Sequence, residues 1–439
     1  MRRRGITGQA LVPALGFAAL LAASLLWLAD GGQRINDKIR LHNAADAAAY
    51  SAAQWQVRAL NYQAYINRAI VANEVAIAQA VSLQSWAQYL QQTLSSTAAV
   101  GRLVPPAAAT LQALSRGWST VNRGLQVSLP PIETALSHWN VDVLALSQSV
   151  AHQQALVGAA ALVPQVAQAH DPRIEVGSGT RLLQAANALR WLNRLTTRYQ
   201  RGSAELSRVA RLLMDSRDGF TAARSHSMLF SNPLLRLPKR GGTDLLGERA
   251  WRGLDTLSLH VNYFFGSSEV PYGWGAAELR QQPWNGRGEH GGSWRDNGRA
   301  SRNAERATLA QSTYAGLPQL RDVVQPQRQQ DLHLTYSVHL ALPQDSWLNT
   351  TQQATSALAL PAGATLDLSG GEVPGKALHA LGAAELYFQR PVARADGRRE
   401  WPSLFSPYWQ VHLVPVPRAD RVLTAASRGV TLDPYTVLP

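Results

Sequence analysis

Few residues in this chain are of a type and spacing that could do chemistry. Residues 286–291 spell GxGxxG, but they follow no predicted strand and open no predicted helix, as a phosphate-binding loop requires. His333 and His339 fall on the predicted exposed face of one strand, where a metal would need a further ligand from elsewhere. Cysteine is absent, which excludes thiol chemistry, and no two carboxylates stand out as a pair. We therefore predict a protein that is not an enzyme and holds no cofactor or metal; a hydrolase would need a side-chain cluster visible only in three dimensions.

Tryptophan, arginine and glycine are concentrated at residues 284–306, which predicts a loop. The indole rings of Trp284 and Trp294 offer flat apolar faces that suit contact with a polysaccharide such as peptidoglycan. Aromatic side chains also bury large areas in cores and interfaces, and packing is the preferred interpretation. A membrane-tethered cell-wall or polysaccharide-binding protein is therefore the alternative function.

An uncharged apolar run at residues 10–29 follows three arginines at positions 2–4. About 20 apolar residues in a helix match a hydrocarbon core of about 30 Å, so the run predicts a contact with the lipid bilayer. Basic flanks stay in the cytoplasm, which places residues 1–9 there and the bulk of the chain across the membrane. A secretory signal cleaved after residues 22–24 is the competing interpretation, but the apolar run continues beyond that point to spanning length.

The net charge of +13 comes almost entirely from arginine, since lysine occurs only at positions 38, 239 and 376. A basic chain suits nucleic acid at first sight, but export removes most nucleic acid from reach. No nucleic-acid partner is therefore predicted. Peptidoglycan, acidic headgroups and acidic partner proteins remain as anionic neighbours.

The first half of the exported chain has helical patterns. Between Gly32 and Gly101 there is neither Gly nor Pro, and alanine, the best helix former, dominates, so one or two very long helices are predicted. Helical patterns then recur, with breaks at the prolines between them, at 107–128, 132–163 and 180–216. Residues 30–218 are therefore predicted to form a long helix followed by a helical bundle or stalk.

After residue 218 glycine, proline and tryptophan increase and the helical periodicity fades. Residues 331–342 alternate apolar with polar side chains, which predicts a strand with one buried and one exposed face. Weaker strands are predicted at 256–265, 364–368, 384–389 and 409–415. The predicted fold is α+β: a single N-terminal transmembrane helix, a long helical stalk or bundle, and a β-rich domain at 219–439.

Small residues are concentrated just beyond the apolar run. Runs of alanine let helix backbones approach closely, and membrane-proximal helices use this to associate. Asp46 lies one turn after His42, which can satisfy its carboxylate locally. The predicted helix-association interface consists of Ala44, Ala45, Asp46, Ala48 and Ala49.

Two N-terminal stretches, GQALV at 8–12 and NAADAAA at 43–49, resemble TadE/TadG-like proteins of Flp (tight adherence) pilus assembly. The stretches RALNYQAYINRAIVANE at 58–74 and SLFSPYWQ at 403–410 are similar to a long-bodied subgroup of that family. The resemblance implies a bitopic inner-membrane protein or minor pilin-like subunit with a periplasmic body, whose partners are other membrane proteins of a secretion-related pilus. Pro13 stands where TadE-type anchors usually carry a glutamate, which argues against incorporation into the filament itself.

Overall fold

The computed structural model describes residues 10–102, 105–227, 234–264, 266–282, 296–324, 332–343, 377–398 and 400–427. Its first element is α1 (Leu11–Gly101), one helix of 91 residues. At 1.5 Å per residue α1 is roughly 135 Å long. The lack of Gly and Pro after residue 32 explains why the helix is continuous, and it settles the choice between one helix and two.

The N-terminal part of α1 is long and apolar enough to cross a membrane, judged by length and composition. No described part of the chain buries this stretch. Phe17 and Leu20, for example, are each 68% exposed. An exposed apolar helix of this length is what a lipid environment accommodates and water does not.

Two further helices, α2 (Pro105–His138) and α3 (Leu146–His170), run antiparallel to α1. The indole of Trp118 donates to the Ala87 carbonyl, and that of Trp55 donates to the Gln154 carbonyl, which fixes this direction. Between α2 and α3, residues Trp139–Ala145 continue the chain as a π-helical segment.

The prolines expected to break these helices do not do so. Pro130 and Pro131 lie inside α2, and Pro164 lies inside α3. The predicted breaks at these positions are therefore wrong. Both helices pack along α1, and this burial offsets the backbone hydrogen bonds that proline cannot donate.

The single helix predicted at 180–216 is also wrong in part. Helix α4 (Gly179–Arg190) passes into a π-helical segment, Trp191–Leu195, and then into strand β2 (Thr196–Arg198) before α5 (Ala204–Asp215) begins. The described residues also form helices α6 (Gly298–Arg306) and α7 (Arg418–Ser427).

A six-stranded sheet follows the helical half, in the order β3-β5-β6-β7-β8, with β4 also paired to β6. All its pairs are antiparallel except β7 with β8. The strands are β3 (Arg224–Ser227), β4 (Leu235–Arg236), β5 (Pro238–Leu246), β6 (Ala250–Tyr263), β7 (Gly266–Arg280) and β8 (Leu309–Gln311).

A four-stranded antiparallel sheet has the order β1-β10-β11-β12. Its strands are β1 (Glu175–Val176), β10 (His333–Leu342), β11 (Leu378–Phe388) and β12 (Trp409–Leu413). A short third sheet pairs β2 with β9 (Arg321–Val323). Because β1 and β2 come from the helical half of the chain, each half contributes strands to a shared sheet.

The predicted α+β architecture, with a long N-terminal apolar helix, further helices and a β-rich C-terminal region, is confirmed. The predicted strands at 331–342, 256–265, 384–389 and 409–415 overlap β10, β6, β11 and β12, whereas 364–368 lies outside the described residues. The loop predicted at 284–306 is wrong at its end, where α6 forms.

The hydrophobic core is arranged along α1. Its first buried cluster joins residues 41–60 of α1 to α3 and to the four-stranded sheet. The second joins residues 66–81 of α1 to α5 and to the six-stranded sheet. The same helix therefore supplies the central surface for both sheets.

Candidate functional site

The alanines predicted to form a helix interface lie against the chain's own four-stranded sheet. Ala44, Ala45, Ala48 and Ala49 are fully buried in the cluster that contains the apolar face of β10. A Cβ atom added to Gly382 of β11 would overlap the backbone of Ala45 and Asp46. Small residues thus permit close approach between a helix and a sheet here, and the same buried cluster includes Ala159 and Ala167 of α3.

Asp46 lies at the edge of this contact and is half-buried. Partial burial raises the pKa of its carboxyl group, and the positive charge that His42 can carry opposes the shift. Asp46 is therefore the polar residue at the edge of the buried alanines of α1.

The six-stranded sheet also approaches the backbone of α1 through glycines. A Cβ atom on Gly275 of β7 would overlap the backbone of Ser85 and Tyr89, and one on Gly253 of β6 would crowd the carbonyl oxygen of Val81. The absence of side chains at these positions is what lets the strands lie directly on the helix.

The two stretches that resemble the long-bodied subgroup contact each other. Asn61 exchanges two hydrogen bonds with the backbone of Trp409, at 3.0 and 3.1 Å. Asn67 donates to the carbonyl oxygen of Leu404 at 2.7 Å and to that of Arg321 at 2.8 Å. Segments more than 300 residues apart in sequence are therefore joined by α1 side chains.

Glu74 is the third polar residue of α1 that organises the body, and it is fully buried. Its carboxylate accepts hydrogen bonds from Trp251 Nε1 at 2.9 Å, from the Tyr314 hydroxyl at 2.8 Å and from Asn140 Nδ2 at 2.8 Å. Burial raises the pKa of Glu74, and the three donors oppose that shift. This carboxylate has no exposed surface, and its three hydrogen-bond donors belong to the protein itself. It therefore links α1 to the segments that contain Trp251, Tyr314 and Asn140, and a substrate cannot reach it.

A second buried carboxylate, Asp255 of β6, pairs with Arg224 at 2.8 Å and accepts from Ser85 Oγ of α1 at 2.7 Å. Burial raises its pKa to about 6 despite the adjacent guanidinium. Sequence reasoning missed Glu74 and Asp255. For Glu74 there was one signal, since it is the last charged residue before the uncharged stretch at 75–101.

His333 and His339 do not share a site. His339 is fully buried, and its Nε2 lies 3.1 Å from Nδ1 of His379, while the backbone N–H of Gly179 donates to its Nδ1. His333 lies at the strand's start, 3.3 Å from Glu385. The face of β10 predicted to be exposed is instead covered by α4 and α7 at Ser337 and His339, whereas His333 is exposed.

The remaining candidate residues belong to a part of the chain that the structure does not describe. Trp284, Trp294 and the GxGxxG spelling at 286–291 lie outside the described residues. Within the described part of the chain, no group of three or more histidine, aspartate or glutamate side chains is placed to hold a metal ion.

Comparison with known proteins gives one match. The family model of Flp pilus-assembly TadE/G-like proteins matches residues 8–54, a span that includes the exposed apolar part of α1 and the buried alanines. No curated protein and no solved structure matches the chain. Residues 8–54 are therefore a TadE/G-like segment, and the resemblance drawn from residues 8–12 and 43–49 is confirmed over that span.

Proposed function

We propose that this protein is a single-pass, non-enzymatic envelope protein that takes part in Flp pilus assembly. Residues 10–29 anchor it in the inner membrane, residues 1–9 stay in the cytoplasm, and the folded body stands in the periplasm. One observation carries the proposal: the TadE/G-like segment is the start of a helix that continues without interruption into the core of both sheets. The anchor and the body are therefore joined by one continuous helix.

The contacts of α1 indicate which part of it is available to partners. Ala44, Ala45, Ala48 and Ala49 are already packed against β10 and β11, so another subunit reaches them only if the sheet leaves. The apolar part before residue 29 is exposed, as are Ile35 and Ile39 further along the helix. We assign association with other membrane proteins of the pilus machinery to this exposed part of α1.

The contacts of Asn61 and Asn67 with Trp409 and Leu404 support the finer resemblance to a long-bodied subgroup. These residues belong to the two stretches that carry that resemblance, and the fold uses them together. In this proposal the subgroup's body is a scaffold fastened to its own anchor helix, and pilus or secretion proteins bind its surface.

The test replaces residues 11–28 with an unrelated apolar helix of equal length, in a tagged full-length protein. We expect both proteins to stay in the membrane fraction, and only the natural anchor to co-purify with pilus or secretion membrane proteins. A protease added outside the inner membrane should degrade the body and spare a tag at residue 1. Retention of all partners by the replaced anchor, or a body protected from protease, would contradict the proposal.

A further inference from the structure

A regular, mostly apolar line of side chains runs along the outside of the helical half, from the π-helical segment into α3. Its members, three and four residues apart, are Val143, Leu146, Val150, Gln153 and Val157. All are exposed in the described part of the chain, and the largest exposed fractions are 59% at Leu146 and 65% at Val157. We call this set of residues the outer stripe.

The outer stripe lies opposite the buried face of α3. Gln148 and His152 are buried, and Val150 is two residues from each of them, which is about 160–200° around a helix. Ala155 and Ala159, which belong to the first buried cluster, flank Val157 in the same way. The outer stripe therefore takes no part in the core of its own chain.

The outer stripe is uncharged, although the protein has a net charge of +13. The whole of α3, Leu146–His170, contains no Asp, Glu, Lys or Arg. Asp142, which precedes the stripe, is hydrogen-bonded to His138 at 2.9 Å on the same helical face. Copies of a strongly basic protein repel one another, and they can meet at this stripe without bringing like charges together.

The residue types along the stripe are those of a parallel, two-stranded coiled coil. In heptad terms Val143, Val150 and Val157 occupy the a positions, and Leu146 and Gln153 occupy the d positions. A β-branched residue at a with leucine at d favours two parallel helices, and a single polar residue in the seam fixes their register. The partner that fits this face is therefore another copy of the same helix.

The membrane anchor supplies the parallel direction, and on this point the inference rests on the proposed function. Copies inserted in one membrane have α1 pointing the same way, so their α3 helices are parallel too. A twofold axis along the membrane normal places each stripe residue opposite its own counterpart. The two α1 helices then lie roughly 25–30 Å apart, about three helix-to-helix spacings, which leaves their apolar parts free for other membrane proteins.

We propose that this protein forms a parallel homodimer in the membrane, with the outer stripes of the two copies packed against each other. Ile132 and Trp139, both exposed, extend the apolar surface towards α2. Together these residues present on the order of 500 Å² per copy, as large as the patches that mark interaction surfaces on monomers. Pairing buries on the order of 1,000 Å², the lower limit for a specific interface. Confinement to one membrane raises the effective concentration of the copies.

The first test is disulfide formation between copies, which the absence of cysteine from the chain makes unambiguous. Leu146→Cys, in the full-length protein in isolated membranes, is oxidised and examined by non-reducing electrophoresis. Facing d positions of a parallel coiled coil come within the Cα distance of about 7 Å that a disulfide allows. Leu189→Cys on α4 is the matched control, because Leu189 is also 59% exposed. We expect about tenfold or more covalent dimer from Leu146→Cys.

The second test uses charge at Val150, which is exposed, so that substitution does not disturb the core. In Val150→Arg or Val150→Glu alone, like charges face each other across the twofold axis, and differently tagged copies should no longer co-purify. When the two variants are expressed together, opposite charges face each other and co-purification should return. A structural defect in either variant would not be repaired by mixing, so the rescue reports on self-pairing.

Equal dimer yields from Leu146→Cys and Leu189→Cys would overturn the proposal, as would co-purification that the mixture fails to restore. A disulfide that joins Leu146→Cys to a different protein would also overturn it, because the stripe would then have another occupant. The membrane fraction of the same samples separates the two proposals. A membrane-bound protein without the dimer contradicts the dimer alone, whereas a protein absent from the membrane contradicts the anchor and the dimer together.

Discussion

The carboxamide of Asn61 pairs with both backbone groups of Trp409: its Nδ2 donates to the carbonyl oxygen at 3.0 Å, and its Oδ1 accepts from the N–H at 3.1 Å. Trp409 begins β12, the edge strand of the four-stranded sheet. One side chain of α1 therefore makes the two bonds that a neighbouring strand would make. Asn187 of α4 does the same at the other side, where it bonds both the carbonyl oxygen and the N–H of Ser337 on β10.

Asn61→Ala should remove both bonds to β12 and leave two polar backbone groups unpaired. We expect the free energy of unfolding to fall by about 1–3 kcal/mol. Urea denaturation of the full-length protein in micelles, followed by near-UV circular dichroism, measures the change. Asn36→Ala is the control, since Asn36 is exposed on the same helix, and equal effects of the two substitutions would contradict the assigned role.

Gly275→Ala should destabilise the contact between β7 and α1, because the new methyl group meets helix backbone that cannot rotate away. An overpacking cost of about 1–3 kcal/mol is expected. Gly117→Ala provides a matched control of opposite sign: nothing lies near that position in α2, and alanine favours a helix by up to about 1 kcal/mol. The same denaturation experiment compares them, and a neutral Gly275→Ala would show that the sheet does not rest on the helix backbone.

Ala48→Trp should disrupt the packing of α1 on β10 and β11, since Ala48 has no exposed surface. The expected loss is at least about 1–3 kcal/mol, and partner co-purification should fall together with the fold. Ala113→Trp, at an exposed position of α2, is the control and should fold normally. If the Ala48→Trp protein folds and keeps its partners, position 48 is important neither for core packing nor for partner binding.

Glu133 of α2 predicts a pH dependence of stability. It is fully buried and accepts from Gln84 Nε2 at 2.7 Å, and burial raises its pKa from 4.5 to about 7. The folded protein therefore holds a proton that the unfolded chain releases between about pH 4.5 and pH 7, so this residue's contribution falls as the pH rises through that window.

Glu133→Gln should remove this dependence while keeping the contact with Gln84. Relative to the parent, the variant should gain stability as the pH rises from 5 to 8, by up to roughly 3 kcal/mol. Urea titrations at several pH values measure the difference, with exposed Glu205→Gln on α5 as the control. A constant difference between parent and variant across this range would mean that Glu133 titrates normally.

Local patterns predict the elements of this protein well. Helix α1 follows from a long stretch without Gly or Pro, and β10 follows from strict period-two alternation. Both patterns involve only residues that are close together in the chain, so they can be recognised from the sequence without the structure. The TadE/G-like segment was also recognisable, because its short motifs are contiguous.

Long-range pairing was not predictable in the same way. The polar face of β10 reads as exposed, yet Ser337 donates to Asp420 at 2.6 Å and Asp420 pairs with Arg190, so α4 and α7 cover it. A polar residue is buried at little cost when its hydrogen bonds are made, and only the fold reveals its partners. Glu74 was marked only by its position before an uncharged stretch, and its role was not predictable because its three donors come from distant parts of the chain.

The distance along the chain between Asn61 and Trp409, 348 residues, sets the order in which the molecule can fold. Synthesis from the N-terminus produces the buried alanines of α1 first, and the strands that cover them are produced last. Contacts of such high sequence separation form slowly, and the uncovered surface is prone to aggregation in the meantime. In the proposed orientation, folding of this body is completed only after its C-terminal strands have crossed the membrane, and we expect periplasmic chaperones to be required for its biogenesis.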